Sequence, residues 1–239
     1  KLPDAQQALL ALQEIFPEQR ETYLAQGDLL AALGDIDAAQ IAFANAHQIG
    51  PNHVTVRRLF EAQVEAGKVK EAVKTIRVWI LLHPEDMQSR HALAEKLISV
   101  DAWRPAQLVY EGILKRSDGD PVVFNNLAYV AHKLGDKSSL DYARKAVKLA
   151  PEQPGFLDTY GLILAETGDP EKGLDVLRDA FTRQATNQEI RYHIALVLVQ
   201  MKRAKATRRE LQAALASARR FPSEAAARAL LERLDGTAL

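Results

Sequence analysis

Six histidines, at 47, 53, 83, 91, 132 and 193, together with 31 Asp and Glu side chains, are the groups in this chain best suited to hold a metal or move a proton. No two histidines are four residues apart and none sits in a His-Glu-x-x-His run, so a zinc site on one helix has no local support and no metal is expected. Cysteine is absent, which removes disulfides, thiolate nucleophiles and thiolate metal sites while saying little about compartment. The glycines form neither a phosphate loop nor a dinucleotide fingerprint, and no cofactor is expected. Glu61 and Glu65 stand at helical spacing, but without a convergent pocket they read as a solvated face rather than an acid/base dyad. The chemistry these residues offer is that of binding, so the chain is expected not to be an enzyme; a hydrolase or transferase with an unseen site is the outlying alternative.

Charge narrows the partners. Lys+Arg and Asp+Glu both number 31, so the net charge is zero and no whole-chain electrostatic case for nucleic acid exists. The local exception runs from Met201 to Arg220, where Lys202, Arg203, Lys205, Arg208, Arg209, Arg219 and Arg220 face only Glu210. That stretch reads either as a soluble outer helix face or as a contact for anionic polysaccharide, lipid headgroups or nucleic acid. Few aromatics interleave with it, which weakens single-strand stacking. No apolar run approaches the roughly 20 residues that span a bilayer, so no membrane span is expected.

The elements that must position these groups are set by a repeat. Prolines at 17, 51 and 84 lie 34 and 33 residues apart, and the same pattern of small and large residues precedes each. Ala39, Phe43 and Ala46 stand ahead of Pro51, Ala72, Ile76 and Trp79 ahead of Pro84, and Ala5, Leu9 and Leu12 ahead of Pro17. Two helical segments in a period of about 34 residues make a helix-turn-helix unit that buries its apolar face only against its neighbours. The fold class is therefore all-α, a right-handed solenoid of stacked helix pairs: a half repeat at 3–16, repeats at 20–49, 53–82, 86–116, 120–149, 154–183 and 187–219, and a capping helix at 223–234. Within repeats the helix pairs are expected at 20–33 with 36–49, 137–149 is the second helix of the fourth pair, and 204–219 that of the last. Gly34-Asp35, Gly135-Asp136 and Gly168-Asp169 supply a left-handed turn residue followed by a helix cap. Ala39, Ala72, Ala106 and Gly173 permit close crossing of the paired helices, with Phe43, Ile76, Tyr110 and Leu177 filling the groove one turn later. The chain enters at Pro3-Asp4-Ala5 as if on the second helix of a pair, and it is expected to be a fragment of a longer protein.

These residues resemble the tetratricopeptide repeat family. Tyr23, Gly27, Leu30, Gly34, Ala39, Phe43, Ala46 and Pro51 fit the family pattern in the first full unit, and Leu157, Tyr160, Gly161, Leu164, Gly168, Gly173, Leu177 and Ala180 in the fifth. The third unit departs, with Asp101 at the turn glycine and about three extra residues before Pro121. The runs Asn125–Tyr129, Ala146–Pro151 and Leu157–Gly161 are further similar to the C-terminal repeats of long lipoproteins found with PEP-CTERM/exosortase exopolysaccharide systems of Gram-negative bacteria. The resemblance implies a non-catalytic scaffold for protein–protein interaction, with exopolysaccharide-machinery components as partners. It places the chain in the bacterial envelope, in the periplasm or anchored at the outer membrane through a segment beyond this sequence, with the cytoplasm as alternative. It also implies that the first helices line a concave groove, which carries Glu21, Leu24, Asp28, Arg58, His91, Glu95, Asn125, Tyr129, His132, Asp158, Leu162, Glu166 and Tyr192 to the binding face. An extended peptide or a partner helix would suit Asn125, Tyr129 and His132 beside Asp158 and Leu162. The alternative binding surface is the basic stretch, through Lys202, Arg203, Lys205, Arg208 and Arg209.

Overall fold

A computed structural model describes residue 11 and residues 14–116 and 119–236. Among the described residues there are thirteen helices and no strand, an all-α repeat fold. The chain divides into two compact units, Lys1–Ile113 and Leu114–Leu239. The division falls near the end of the third repeat, whose turn carries Asp101 in place of glycine. Most of the half repeat expected over 3–16 lies outside the described residues, as do two of the residues before Pro121.

The first unit contains α1 (Arg20–Ala32) with α2 (Ile36–Ile49), α3 (His53–Glu65) with α4 (Val69–Leu82), and α5 (Met87–Ser99) with α6 (Trp103–Leu114), whose last residue passes the division. The second contains α7 (Pro121–Lys133) with α8 (Ser139–Leu149), α9 (Pro154–Glu166) with α10 (Pro170–Arg183), α11 (Gln188–Gln200) with α12 (Ala204–Leu215), and the closing α13 (Glu224–Gly236). In each unit the first helix of a pair also packs against the first helix of the next, α3 on α5 in one and α7 on α9 on α11 in the other.

Each hairpin turns on one left-handed residue. Gly34, Gly67, Gly135 and Gly168 have φ of 82°, 75°, 68° and 119°, and Asp101 and Lys202 take the same place at 56° and 57°. A side chain there costs about 1–2 kcal/mol, which explains the glycines and makes the two exceptions notable. Two of the following helices are capped by aspartate: Asp35 accepts from the Ala38 N–H at 3.1 Å and Asp169 from that of Lys172 at 3.3 Å. At Asp136 the cap works differently. Its carboxylate accepts from both the backbone N–H and the hydroxyl of Ser138, at 3.0 and 2.8 Å, so the chain turns through 137–138 and α8 starts at Ser139, two residues later than the spacing predicts. The sixth repeat also ends early: α12 stops at Leu215 rather than 219, because the Ser217 hydroxyl accepts from the Arg219 N–H and Pro222 follows.

Close crossing is decided by small residues. A Cβ on Gly173 would lie 2.5 Å from the Gly161 carbonyl oxygen and 2.7 Å from the Ala165 Cβ. In the first pair, a Cβ on Gly27 would meet the Phe43 ring at 2.4 Å. Ala39, Ala72 and Ala106 are fully buried, and Phe43, Ile76, Tyr110 and Leu177 fill the space beside them. Each large apolar side chain so buried stabilises its unit by about 1.5–3 kcal/mol. At the far end Ala227 and Leu230 of α13 cover Ala195 and Leu211, closing the apolar stripe of the last pair.

Candidate functional site

Because one repeat is about 34 residues, a side chain on a first helix faces its counterpart roughly 34 positions later. That spacing assembles a polar seam across the first helices of the second unit. His132 Nε2 lies 2.7 Å from Glu166, joining α7 to α9. His193 Nδ1 lies 2.8 and 2.9 Å from the two carboxylate oxygens of Asp158, joining α11 to α9. Glu189 accepts from the Ser223 N–H at 3.0 Å and from its hydroxyl at 2.5 Å, tying α11 to the start of α13. The side-chain amide of Gln200 donates to the Ala165 carbonyl at 2.9 Å.

His193 is the electrostatic centre of this seam. Burial works against its charged form, but the Asp158 hydrogen bond and the carboxylates of Asp158, Glu189 and Glu166 outweigh it and hold the imidazole pKa above its ordinary value. The composition Ser-His-Asp invites comparison with a nucleophilic triad, but Ser223 gives its proton to Glu189, and His193 has carboxylates on both ring nitrogens, Asp158 on one and Glu189 at 3.6 Å from the other. An imidazole with a carboxylate at each ring nitrogen bridges helices and has no nitrogen free to serve a hydroxyl. Among the described residues no group of three such side chains is placed to hold a metal ion, and no helix is long and apolar enough to cross a membrane.

The residues expected in one groove fall into both units. In the first, Arg58 pairs with Asp28 at 3.3 Å and Glu61 at 3.7 Å, His91 is half-buried, and Glu95 is exposed. In the second, His132 and Asp158 are engaged in the seam. Leu162 packs against the Ala165, Leu174 and Leu177 core, and Tyr192 against Ala195 and Leu211 with its phenol pKa raised first by burial. Tyr129 is exposed with the Lys133 ammonium 5.3 Å from its ring centroid. Asn125 donates to Asn126 at 3.3 Å, while its own Oδ1 is buried and accepts no hydrogen bond. Two residues the sequence reading passed over, Glu189 and His193, carry most of the seam; their signal was the 34- and 35-residue spacing to Ser223 and Asp158.

The basic stretch is less charged in space than along the chain. Arg203 pairs with Glu171 at 2.5 Å, Arg208 with Asp235 at 2.7 Å and with the Leu234 carbonyl, and Arg209 with Glu210 at 3.3 Å. Lys202 and Lys205 make no such pair among the described residues, and Lys202 serves as the turn residue. An open hollow of about 780 Å³ lies over these side chains and Gln212.

The spacing, the left-handed turns and the glycine crossing describe one kind of helix pair, and the tetratricopeptide repeat family model matches residues 30–97. Over residues 30–97 the chain is similar to the tetratricopeptide repeat family. A solved tetratricopeptide repeat protein from Parabacteroides merdae is 13% identical, with a TM-score of 0.70 over 98% of this chain and 92% of that one. A chain of the APC/C hetero-tetramer Cut9-Hcn1 is 18% identical with a TM-score of 0.61; the match covers 98% of this chain and 46% of that one, so the present chain spans less than half its length. MamA from Desulfovibrio magneticus RS-1 is 14% identical with a TM-score of 0.57, over 70% of this chain and 96% of that one. Identities this low carry the tetratricopeptide fold and nothing about ligands. No curated protein matches the sequence.

Proposed function

We propose that the chain is a non-catalytic scaffold that binds a protein or peptide partner along the face of its first helices, within bacterial exopolysaccharide assembly or export. The tetratricopeptide fold supports the scaffold role. The observation that carries the binding face is Asn125, whose buried Oδ1 accepts no hydrogen bond while the exposed Tyr129 stands one turn further along α7. A buried acceptor left unsatisfied costs about 1–3 kcal/mol, and an amide N–H from an extended peptide would satisfy it. Tyr129 would then supply the aromatic anchor typical of interface hot spots. Asp158, His132 and Tyr192 serve this face by holding its helices in register rather than by touching the partner. The exopolysaccharide setting and the envelope location rest on the similarity of the runs Asn125–Tyr129, Ala146–Pro151 and Leu157–Gly161 to repeats of that system.

Affinity capture from envelope extract tests this reading, comparing the chain with an Asn125→Ala/Tyr129→Ala variant of equal melting temperature. A protein retained by the first and lost by the second is the expected result; equal recovery would remove the first-helix face from consideration. The second reading, an anionic polysaccharide or other anionic ligand held by Lys202 and Lys205 in the open hollow, predicts retention that falls steeply with salt and with charge reversal at both lysines. Retention indifferent to salt would exclude it.

A further inference from the structure

The outer helices of the first unit leave an apolar cleft open. It measures about 360 Å³ and lies between α4 and α6 with α5 as its floor, walled by Ile80, Leu81, Leu93, Leu97 and Leu108. Leu81 is 79% and Leu108 62% exposed, and Val78, 51% exposed, lines the adjoining hollow with Leu81. Apolar residues scattered singly are ordinary on a protein surface; exposed Leu81 and Leu108 lining one concave opening, with exposed Val78 lining the hollow next to it, are not.

The polar groups of the cleft share one sign. Arg77 and Arg90 line it, with no carboxylate. Arg90 is nearly fully buried, its Nη2 donating to the carbonyls of Ile80 at 3.2 Å and Pro84 at 3.4 Å, which fixes the guanidinium in the wall. A second hollow of about 310 Å³ shares Val73, Arg77 and Leu81 and adds Lys70 and Lys74. Lys70, Lys74 and Arg77 follow one another at helical spacing along α4, all exposed and none ion-paired among the described residues. Glu71 is exposed on the same helix but lines neither hollow.

We propose that this cleft is a second docking site, on the face opposite in kind to the first-helix face, and that its occupant is an acidic amphipathic helix of a partner protein. Apolar side chains at i, i+3 or i+4, and i+7 would enter between Leu81 and Leu108, and Asp or Glu on the flank would meet Arg77, Lys74 and Lys70. Charge complementarity selects an acidic partner, and the concavity selects a helix ridge over a flat lipid surface, against which a helix lies by an unbroken apolar face.

The test is selection of helix-forming peptides from a displayed random library against the whole chain, with affinities then measured by fluorescence anisotropy. The expected winners carry Asp or Glu beside apolar residues at helical spacing. They lose roughly tenfold or more in affinity to the Leu81→Asp/Leu108→Glu variant and, separately, to Arg77→Glu. All three positions are exposed, so melting temperatures should be unchanged, and the Asn125→Ala/Tyr129→Ala variant should bind these peptides as well as the parent does. Peptides that are basic, or whose binding ignores these substitutions, would overturn the proposal. So would a selection with no enrichment. Co-sedimentation with phosphatidylglycerol vesicles that disappears in Leu81→Asp/Leu108→Glu, without peptide binding, would reassign the cleft to a membrane surface and overturn it equally.

Discussion

The second helices of the two units share a backbone and differ in what they show to solvent. On Leu114–Leu239 they are laced with ion pairs, Arg144 with Asp141 at 2.8 Å, Arg183 with Asp179 at 3.1 Å and with Glu152, and Arg203 with Glu171 at 2.5 Å. On Lys1–Ile113 the Lys68 ammonium reaches Asp37 and Gln40, but one turn on, Lys70, Lys74 and Arg77 stand unpaired beside exposed Val78, Leu81 and Leu82. Exposed pairs add little stability, typically about 0–1 kcal/mol, so the difference does not concern how well either unit folds. It concerns what each surface offers: the second unit pairs these arginines with carboxylates, while the first leaves Lys70, Lys74 and Arg77 without an ion pair among the described residues, beside apolar side chains.

The buried polar groups differ in the same way. In the second unit the carboxylates of Asp158 and Glu189 flank His193 and favour its charged form against the effect of burial. In the first, His47 sits against Trp79, its rings 6.2 Å apart, and Nδ1 lies 3.0 Å from the Thr55 hydroxyl; burial lowers its pKa and favours the neutral ring.

The sharpest way to break the comparison is Asp158→Ala, which leaves the mostly buried His193 ring without the hydrogen-bond partner that joins α11 to α9. It should cost about 2–4 kcal/mol near neutral pH, seen as a lowered urea midpoint; a loss below about 0.5 kcal/mol would mean the seam does not hold the second unit together. Next comes Gly173→Ala, whose new Cβ meets backbone at the Gly161 carbonyl and should cost about 1–3 kcal/mol. Ala39→Leu should cost a similar amount in the first unit, and an unchanged melting temperature there would disprove the crossing.

A third effect separates the units by pH. His193 has a folded pKa above its ordinary 6.5, so its stabilisation is complete below that value and is lost as pH rises through the folded pKa. His47 has a folded pKa below 6.5, so its contribution is complete above that value and is lost as pH falls through the folded pKa. Melting curves should therefore show His193→Gln flattening the alkaline limb and His47→Gln the acid limb; the reverse assignment would refute the contrast. The smallest effect is the most diagnostic of surface. Leu81→Asp should change stability by less than about 0.5 kcal/mol, because the side chain is already in water, and a larger loss in the melting curve would show that the cleft is core.

Much of the fold is legible because a solenoid writes its contacts locally. Ala39 and Phe43, or Gly173 and Leu177, meet the partner helix of their own pair, so their spacing in sequence carries their place in space. The turn at Lys202 was harder, since a lysine at that position reads as charge and only the backbone φ of 57° marks it as the hinge of its pair. Of the binding face, Asn125 and Tyr129 could be placed on a first helix from the pattern. The 35-residue offset places Asp158 and His193 on neighbouring first helices, but that their side chains meet at 2.8 Å is set by the packing of α9 on α11.

The sequence by itself determined the all-α repeat, the positions of nearly every helix and the small residues at each crossing, because these depend on neighbours within about one period. Tertiary structure alone decided which charges are spent. Arg203, Arg208 and Arg209 look like one basic run along the chain, but each finds a carboxylate, and for two of them that carboxylate lies 27 or 32 residues away. Lys70, Lys74 and Arg77 look unremarkable in sequence and are the cations left open beside an apolar cleft. Coulomb pairing acts through space over a few ångströms, and only the folded chain sets those distances.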